Sequence, residues 1–297
     1  MRFIHLTDPH FSSLEGQSFA SLSQKRRSGY LSWTRRRQLI HRRETLAQLI
    51  AAIRLEFADQ LILSGDLVQI GLKDEIREVR GWLAELAPAE QVFFVPGNHD
   101  VYAGDSWDAV RQCWNELLPP VQAGTFDGPS SGYPMVRDFG TVRLIGASSA
   151  CVTPIFLARG ALGRNQFDRL AHLLRESREQ GRMCLLTIHH PPVPGLAPWR
   201  KALKEEQALR ELIAGQRPAL AICGHLHHNL ETTEGVTRIF STASASLVHE
   251  ASYRIFDIET GAGAGQASWT IHMQLKTISA QGNAFNLADE QRWTFSL

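Results

Sequence analysis

Five short groups of metal-competent residues lie between residues 8 and 227 of this 297-residue chain. They combine carboxylate, amide and imidazole side chains and contain no thiolate, a donor set that suits Mn, Fe, Zn or Co better than Ca. The sequence therefore predicts a transition-metal site, with Mn or Fe favoured. The groups are Asp8-Pro9-His10, Gly65-Asp66, Gly97-Asn98-His99-Asp100, His189-His190-Pro191 and Gly224-His225-Leu226-His227.

These donors are too many for a single ion, so we expect two divalent ions. Paired ions in hydrolytic sites lie ~3.5–4 Å apart and share a bridging ligand. Asp66 can supply that carboxylate bridge. A glycine directly before Asp66, Asn98 and His225 would let the backbone turn tightly where each side chain is presented.

The five groups follow short apolar segments that have the length and composition of buried strands. Helical patterns lie between the segments, and strand–helix alternation is typical of a largely parallel sheet. Ligands of open α/β sheets gather beyond the carboxyl ends of the strands, so the five groups should converge. The candidate strands are 3–7, 60–64, 92–96, 142–147, 183–188 and 220–223, and the candidate helices are 40–57, 74–87, 105–117, 165–180 and 200–214.

After residue 225 the pattern changes to candidate strands 236–242, 253–258 and 268–278, joined by glycine-rich turns such as 261–265. We expect these strands to form a second, more antiparallel sheet packed on the first. The predicted fold class is α/β, a four-layer α/β/β/α sandwich of two mixed sheets flanked by helices. No linker divides the chain, so residues 1–297 are predicted to form a single domain.

In this order, the motifs Asp-x-His, Gly-Asp, Gly-Asn-His-Asp, His-x-Pro and Gly-His-x-His resemble the calcineurin-like metallophosphoesterase family over about residues 1–245. The asparagine of the third motif, together with His189-His190-Pro191-Pro192, is similar to the bacterial cyclic-nucleotide and glycerophosphodiester branch. The resemblance implies one ion on Asp8, His10 and His227, a second on Asn98, His189 and His225, and Asp66 as the bridge.

The resemblance also implies residues that act on the substrate. His99 would contact the phosphoryl group or protonate the leaving oxygen, and Asp100 would orient its ring and keep it basic. Asn98 and His190 are further candidates for substrate contact, although His189 is preferred as the ligand because it lies two residues before proline. The other histidines, among them His41, are interpreted as structural.

The resemblance implies hydrolysis of a small phosphodiester, a cyclic nucleotide or a glycerophosphodiester, by a hydroxide that bridges the two ions. An alternative is a pyrophosphatase that acts on a UDP-linked lipid intermediate at the membrane surface, because some family members with an arginine-rich insertion do this. A binding subunit with a degraded metal site is a third possibility, but every expected ligand position is filled.

Residues 11–43 form a basic, aromatic insertion directly after the first predicted ligands. Eight cationic side chains lie in residues 25–43, close to Tyr30 and Trp33. Such a segment could pair with substrate phosphates as a lid, lie on an anionic membrane, or form a solvated basic helix. A second insertion, 151–163, is a packed loop or an apolar wall of the site.

Composition excludes other classes of protein. The formal net charge is +1, which argues against a specific nucleic-acid partner. The four scattered cysteines predict reduced thiols. Residues 2–7 already have a strand pattern and no apolar run approaches ~20 residues, so we expect a cytoplasmic protein, with membrane association through residues 25–43 as a further option. The C-terminal strands could pair two copies into a homodimer.

Overall fold

The computed structural model describes residues 1–120, 128–261 and 267–297. The strands are β1 (Arg2–Leu6), β2 (Gln60–Leu63), β3 (Val92–Phe94), β4 (Met135–Phe139), β5 (Val142–Ala147), β6 (Met183–Ile188), β7 (Leu220–Cys223), β8 (Leu230–Glu234), β9 (Thr237–Ser241), β10 (Ser252–Gly261), β11 (Ser268–Ile278) and β12 (Phe285–Ser296). The α-helices are α1 (Gln24–Ser32), α2 (Gln38–Ile40), α3 (Arg43–Arg54), α4 (Lys73–Leu86), α5 (Ser106–Cys113), α6 (Arg164–Glu179) and α7 (Glu206–Gln216).

Two six-stranded mixed sheets form the centre of the fold. Sheet one has the order β12-β11-β10-β1-β2-β3, with β1 to β3 parallel and β10 to β12 added antiparallel. Sheet two has the order β4-β5-β6-β7-β9-β8, in which only the edge strands β4 and β8 are antiparallel to their neighbours.

Side chains alternate between the two faces of each strand, and this alternation builds three apolar cores. Phe3, Ile62 and Phe93 of sheet one meet Leu144 and Leu185 of sheet two in the core between the sheets. The opposite face of sheet one packs on α3, α4 and α5, and the opposite face of sheet two packs on α6 and α7. The predicted four-layer α/β/β/α sandwich is therefore confirmed.

The expected division of strands between the sheets was wrong. The C-terminal strands do not make a second sheet of their own, because β10 to β12 extend sheet one while β8 and β9 join sheet two. The edge strands β4, β8 and β12 were missed because their outer faces are polar and weaken the apolar signal. Residues 262–265 of the predicted turn 261–265 lie outside the described residues.

The insertion, residues 11–43, folds into α1, a π-helical segment (Trp33–Arg37) and α2. Leu14, Leu22 and Trp33 form a small apolar core with Ile70 from the loop after β2. The Arg26 guanidinium donates to the carbonyl oxygens of that same loop. The insertion is therefore docked on the carboxyl end of the sheets, and the interpretation as a solvated helix was wrong.

Within the described ranges, no helix is long and apolar enough to cross a membrane.

Candidate metal centre

All seven predicted metal ligands come after strand ends of the two sheets, on the same side of the fold. Five of them adopt a left-handed backbone conformation that non-glycine residues rarely take. Such strain costs on the order of 1–3 kcal/mol per residue and concentrates at functional sites. The tight turns aim consecutive ligands back toward one point. These five residues are Asp8 (φ 51°), His10 (φ 41°), Asp66 (φ 58°), His225 (φ 70°) and His227 (φ 59°).

The first group of donors consists of Asp8, His10, Asp66 and His227, with one donor atom of each within 4.8 Å of all the others. His10 Nδ1 lies 3.0 Å from the carbonyl oxygen of Val68, so this nitrogen carries the proton and Nε2 keeps its lone pair. His10 Nε2 lies 3.3 Å from His227 Nε2, which in turn lies 3.1 Å from Asp8 Oδ1. Donor atoms this close suit a shared cation.

The second group lies between Asp66 and the ends of β6 and β7. His189 Nδ1 lies 2.6 Å from the Ser64 carbonyl oxygen, which places the proton there and turns the Nε2 lone pair toward Asp66 Oδ2, 3.3 Å away. His189 Nε2, His225 Nε2 and Asn98 Oδ1 are buried and have no hydrogen-bond partner in the described part of the chain. Buried polar atoms without partners are costly, and a second ion would satisfy all three.

Asp66 belongs to both groups. Its Oδ1 accepts the backbone N–H of His99 at 2.7 Å, and its Oδ2 faces His189. A Cβ at Gly97 would collide with the Asp66 carboxylate and backbone, so glycine is required where the loop after β3 passes Asp66. The residues present therefore fit two ions with Asp66 between them.

Electrostatics agree with this arrangement. Burial, reinforced by neighbouring histidines, lowers the pKa of His10 and His225 well below the usual value, which keeps both rings in the neutral form that binds metals. Burial also lowers the pKa of His189, but the Asp66 carboxylate outweighs burial and raises it. Burial raises the pKa of Asp66, yet His189 and His99 hold it well below its usual range. The space between Asp66 and His189 thus favours a cation.

The prediction that Asp100 orients the His99 ring is wrong. Its Nδ1 contacts the carbonyl oxygen of Gln69, an oxygen that also accepts from Arg37 Nη1 at 3.3 Å. Asp100 instead accepts the backbone N–H groups of Asp66 and Leu67, both at 2.8 Å, and that of Gly97 at 2.9 Å. Asp100 thus ties the loops that carry Asp66 and Asn98, and Gln69 orients the His99 ring.

We expect Asp100→Ala to unfold more easily by about 3 kcal/mol or more, because three backbone N–H groups at the loop junction lose their acceptor. Urea denaturation of metal-free protein measures this loss, and the exposed Asp108→Ala in α5 is the control, with an expected change within about 0.5 kcal/mol. A stability loss below about 1 kcal/mol with turnover abolished would return Asp100 to a catalytic role.

The prediction that His190 contacts the substrate is also wrong. Its Nδ1 lies 2.7 Å from Ser149 Oγ and its Nε2 lies 3.2 Å from the Ala158 carbonyl oxygen. Although its ring lies close to His189 and His225, both of its nitrogens are already hydrogen-bonded. This leaves no ring nitrogen for a metal or a substrate, and His190 supports the wall of the site.

Two residues of the insertion reach the site although the sequence did not single them out. Arg37 contacts His99 and Gln69, and His41 lies beside His10 and His227. In the sequence, Arg37 is one member of a basic run, and His41 is interpreted as structural. The path of the chain could have indicated both residues, because a segment that leaves the site after His10 and leads back to α3 passes the site a second time.

Two cavities open beside the donor groups, and the insertion lines both. Cavity one has a volume of about 790 Å³ and is bounded by Asn98 and His99 of the third motif. Cavity two has a volume of about 400 Å³ and is bounded by His10, His41 and Gln69.

The walls of cavity one are both cationic and apolar. The cationic side chains come from the insertion and from the loop before α7, and the apolar ones come mainly from the second insertion, 151–163, which therefore forms an apolar wall. The cationic residues are Lys25, Arg35, Arg37, Arg200 and Lys201, and the apolar ones include Leu31, Ile155, Phe156, Leu157 and Trp199.

The fold and the donor set are those of a metal-dependent hydrolase, and the family comparison makes this specific. The model of the calcineurin-like phosphoesterase family matches residues 1–229. The chain therefore belongs to the calcineurin-like phosphoesterase family, whose members are dinuclear-metal phosphoesterases.

Solved structures share the fold at low identity. The chain is similar to a dimetal phosphatase from Danio rerio, with a TM-score of 0.56, 13% identity and 98% of each chain covered. It is also similar to the purple acid phosphatase PPD1 from yellow lupin (Lupinus luteus), with a TM-score of 0.55, 12% identity and coverage of 100% of this chain and 53% of the lupin chain. A search of curated proteins gave no match.

Proposed function

We propose that this protein is a phosphodiesterase that uses two divalent metal ions, with Mn or Fe favoured, to hydrolyse a small phosphodiester such as a cyclic nucleotide or a glycerophosphodiester. The observation that carries the proposal is the pair of cavities beside the donor groups, one at His99 and one at His10. A phosphodiester carries two organic groups on the reacting phosphate, and two cavities give each of them a place. A phosphomonoester would fill only one.

The chain's own residues divide the chemistry between them. Asp66 belongs to both donor groups. Asp8, His10 and His227 complete the first group, and Asn98, His189 and His225 complete the second. Bound there, two divalent ions supply Lewis acidity that lowers the pKa of water and neutralises charge on the phosphoryl oxygens. His99 faces cavity one and its Nδ1 proton is held by the Gln69 carbonyl oxygen, so a leaving oxygen would take its proton from Nε2 of the doubly protonated ring. Arg37 lies beside it as a fixed positive charge for the phosphoryl group.

We expect kcat/KM of the Mn²⁺-loaded enzyme to be at least ~10-fold higher for bis(p-nitrophenyl) phosphate than for p-nitrophenyl phosphate. Burial of the second aryl group contributes on the order of 1.5–3 kcal/mol, and 1.4 kcal/mol already corresponds to ~10-fold. Steady-state release of p-nitrophenol, extended to 2′,3′- and 3′,5′-cyclic AMP and glycerophosphodiesters, provides the measurement. Equal or better turnover of the monoester would make the protein a phosphomonoesterase.

A matched pair of variants tests whether cavity one is used. Ser32→Trp in α1 places a large ring at the cavity lining and should lower diester turnover without loss of metal. Gln24→Trp adds the same ring at the other end of α1, on a residue that does not line the cavity. Identical kinetics for the two variants would remove cavity one from the proposal.

A second candidate function is a pyrophosphatase acting on a UDP-linked lipid at an anionic membrane surface. Large apolar side chains at the cavity rims favour it, because Phe156 is 79% exposed, Trp199 is 63% exposed and Leu39 is 55% exposed, close to the cationic insertion. Aromatic and basic residues together suit a membrane interface. Salt-sensitive sedimentation with phosphatidylglycerol vesicles supports this function, and sedimentation equal to that with neutral vesicles contradicts it.

A further inference from the structure

His41 lies between α2 and α3, at the point where the insertion rejoins the sheets. It is 9% exposed, and its backbone is fixed by a hydrogen bond from its N–H to the Arg37 carbonyl oxygen and by a bridge to Leu247. Its ring centroid lies 4.8 Å from that of His10 and 5.1 Å from that of His227. The insertion therefore places a third imidazole directly against two predicted ligands of the first ion.

The hydrogen bonds around His41 decide which nitrogen carries the proton. The Ser244 hydroxyl donates to the Asp8 carbonyl oxygen at 2.6 Å, so its single proton is already used. His41 Nδ1 lies 3.2 Å from that hydroxyl oxygen and 2.8 Å from Ser246 Oγ. A proton on Nδ1 satisfies both contacts, and Nε2 keeps its lone pair.

The Nε2 atom of His41 is buried and has no hydrogen-bond partner among the described residues. One donor nitrogen from each of His41, His10 and His227 lies within 4.8 Å of the others. His10 Nε2 also carries a lone pair, because its Nδ1 proton points at the Val68 carbonyl oxygen. Lone pairs that face one another with no proton between them are satisfied by a cation.

We propose that His41 Nε2 is a further ligand of the first metal ion, bound beside His10 and His227. The proposal rests on the two-ion site of the proposed function, but not on which ester the enzyme cleaves. It makes the first site richer in imidazole, which shifts its preference from Mg²⁺ and Mn²⁺ toward Fe²⁺, Co²⁺ and Zn²⁺. It also gives the insertion a direct bond to the ion, so that the segment lining both cavities is anchored at the reaction site.

The test uses Co²⁺ as the metal and does not depend on catalysis. Wild-type protein should bind two Co²⁺ ions per chain, measured by calorimetric titration, with a visible absorption spectrum that reports the nitrogen donors. His41→Gln should weaken binding of one ion by at least ~10²-fold, the upper end of the loss caused by removing a residue that only supports a ligand. Its Co²⁺ spectrum should change, and the other ion should bind as before.

The matched control is His228→Gln, because His228 follows His227 directly but its ring is exposed and pairs with Glu250 at 3.3 Å. This variant should keep both ions and the wild-type spectrum. Ser246→Ala removes the nearer of the two hydroxyl groups that hold the His41 ring and leaves that of Ser244, so it should give an intermediate loss of affinity for the same ion. Thermal unfolding of metal-free protein identifies any variant that fails to fold, and the Ser246→Ala result then stands alone.

Two ions bound with unchanged affinity and an unchanged spectrum in both His41→Gln and Ser246→Ala would overturn the proposal. Failure of the proposed function has a different signature, because wild-type protein would then bind Co²⁺ while cleaving no phosphodiester. Wild-type protein that binds no Co²⁺ would overturn both.

Discussion

Asp66→Asn should lose both metal ions and lower diester turnover by more than ~10²-fold, the loss associated with residues that merely support a ligand. The asparagine keeps the shape of the side chain and an oxygen that can accept the His99 backbone N–H, now held at 2.7 Å. What it removes is the negative charge, which faces His189 on one side and the His10 and His227 pair on the other. Both donor groups therefore weaken together.

Metal content after dialysis, measured by inductively coupled plasma mass spectrometry, checks this result. Asp74→Asn in the first turn of α4 is the control, because Asp74 is 73% exposed and pairs with the exposed Arg77. That variant should retain two ions. Loss of only one ion from Asp66→Asn would show that the carboxylate serves a single ion, and retention of two would show that it is no bridge.

The ligand groups were predictable from sequence because each is a local signal. Asp66 follows a buried apolar strand and a glycine, so its position at a strand end needs no knowledge of distant residues. The fold class followed for the same reason, from strand and helix patterns that each segment carries by itself. The five groups were also predicted to converge, and the structure brings them together although β1 to β3 and β5 to β7 belong to different sheets.

The division into sheets and the partners of single side chains could not be predicted locally. β10 pairs with β1 across more than 200 residues, and nothing in either segment specifies the other. Asp100 was assigned to His99, its neighbour in sequence, yet its carboxylate turns toward the backbone of another loop. The position of His41 could not be predicted for the same reason. It depends on where the insertion rejoins the sheets and not on the neighbouring residues in the sequence.

The insertion also shapes both cavities of the site. Residues 11–43 contribute lining residues to each of them. Arg37 and His41 reach the donor groups from its C-terminal half, while Lys25 is held by the Thr153 carbonyl oxygen at 2.7 Å. The insertion thus joins the second insertion to the ligand loops.

His99→Gln should keep both ions and lower turnover by ~10²–10⁴-fold, the range for loss of a general acid. The metal ligands are spared because Asp66 is bonded to the backbone of His99 and not to its ring. The variant loses the ring nitrogen on the side of cavity one, opposite the Nδ1 held by Gln69. Substrates with poor leaving groups should suffer most, because they depend on a proton in the transition state.

Turnover of aryl methyl phosphates with leaving-group pKa values from about 5 to about 10 separates the two roles of His99. General acid loss predicts a steeper dependence of log kcat on leaving-group pKa in His99→Gln than in wild type. The exposed His249→Gln is the control and should reproduce the wild-type slope. An equal loss for every leaving group would instead assign His99 to binding the phosphoryl oxygens, where Arg37 already provides a positive charge, and the leaving oxygen would then take its proton from water.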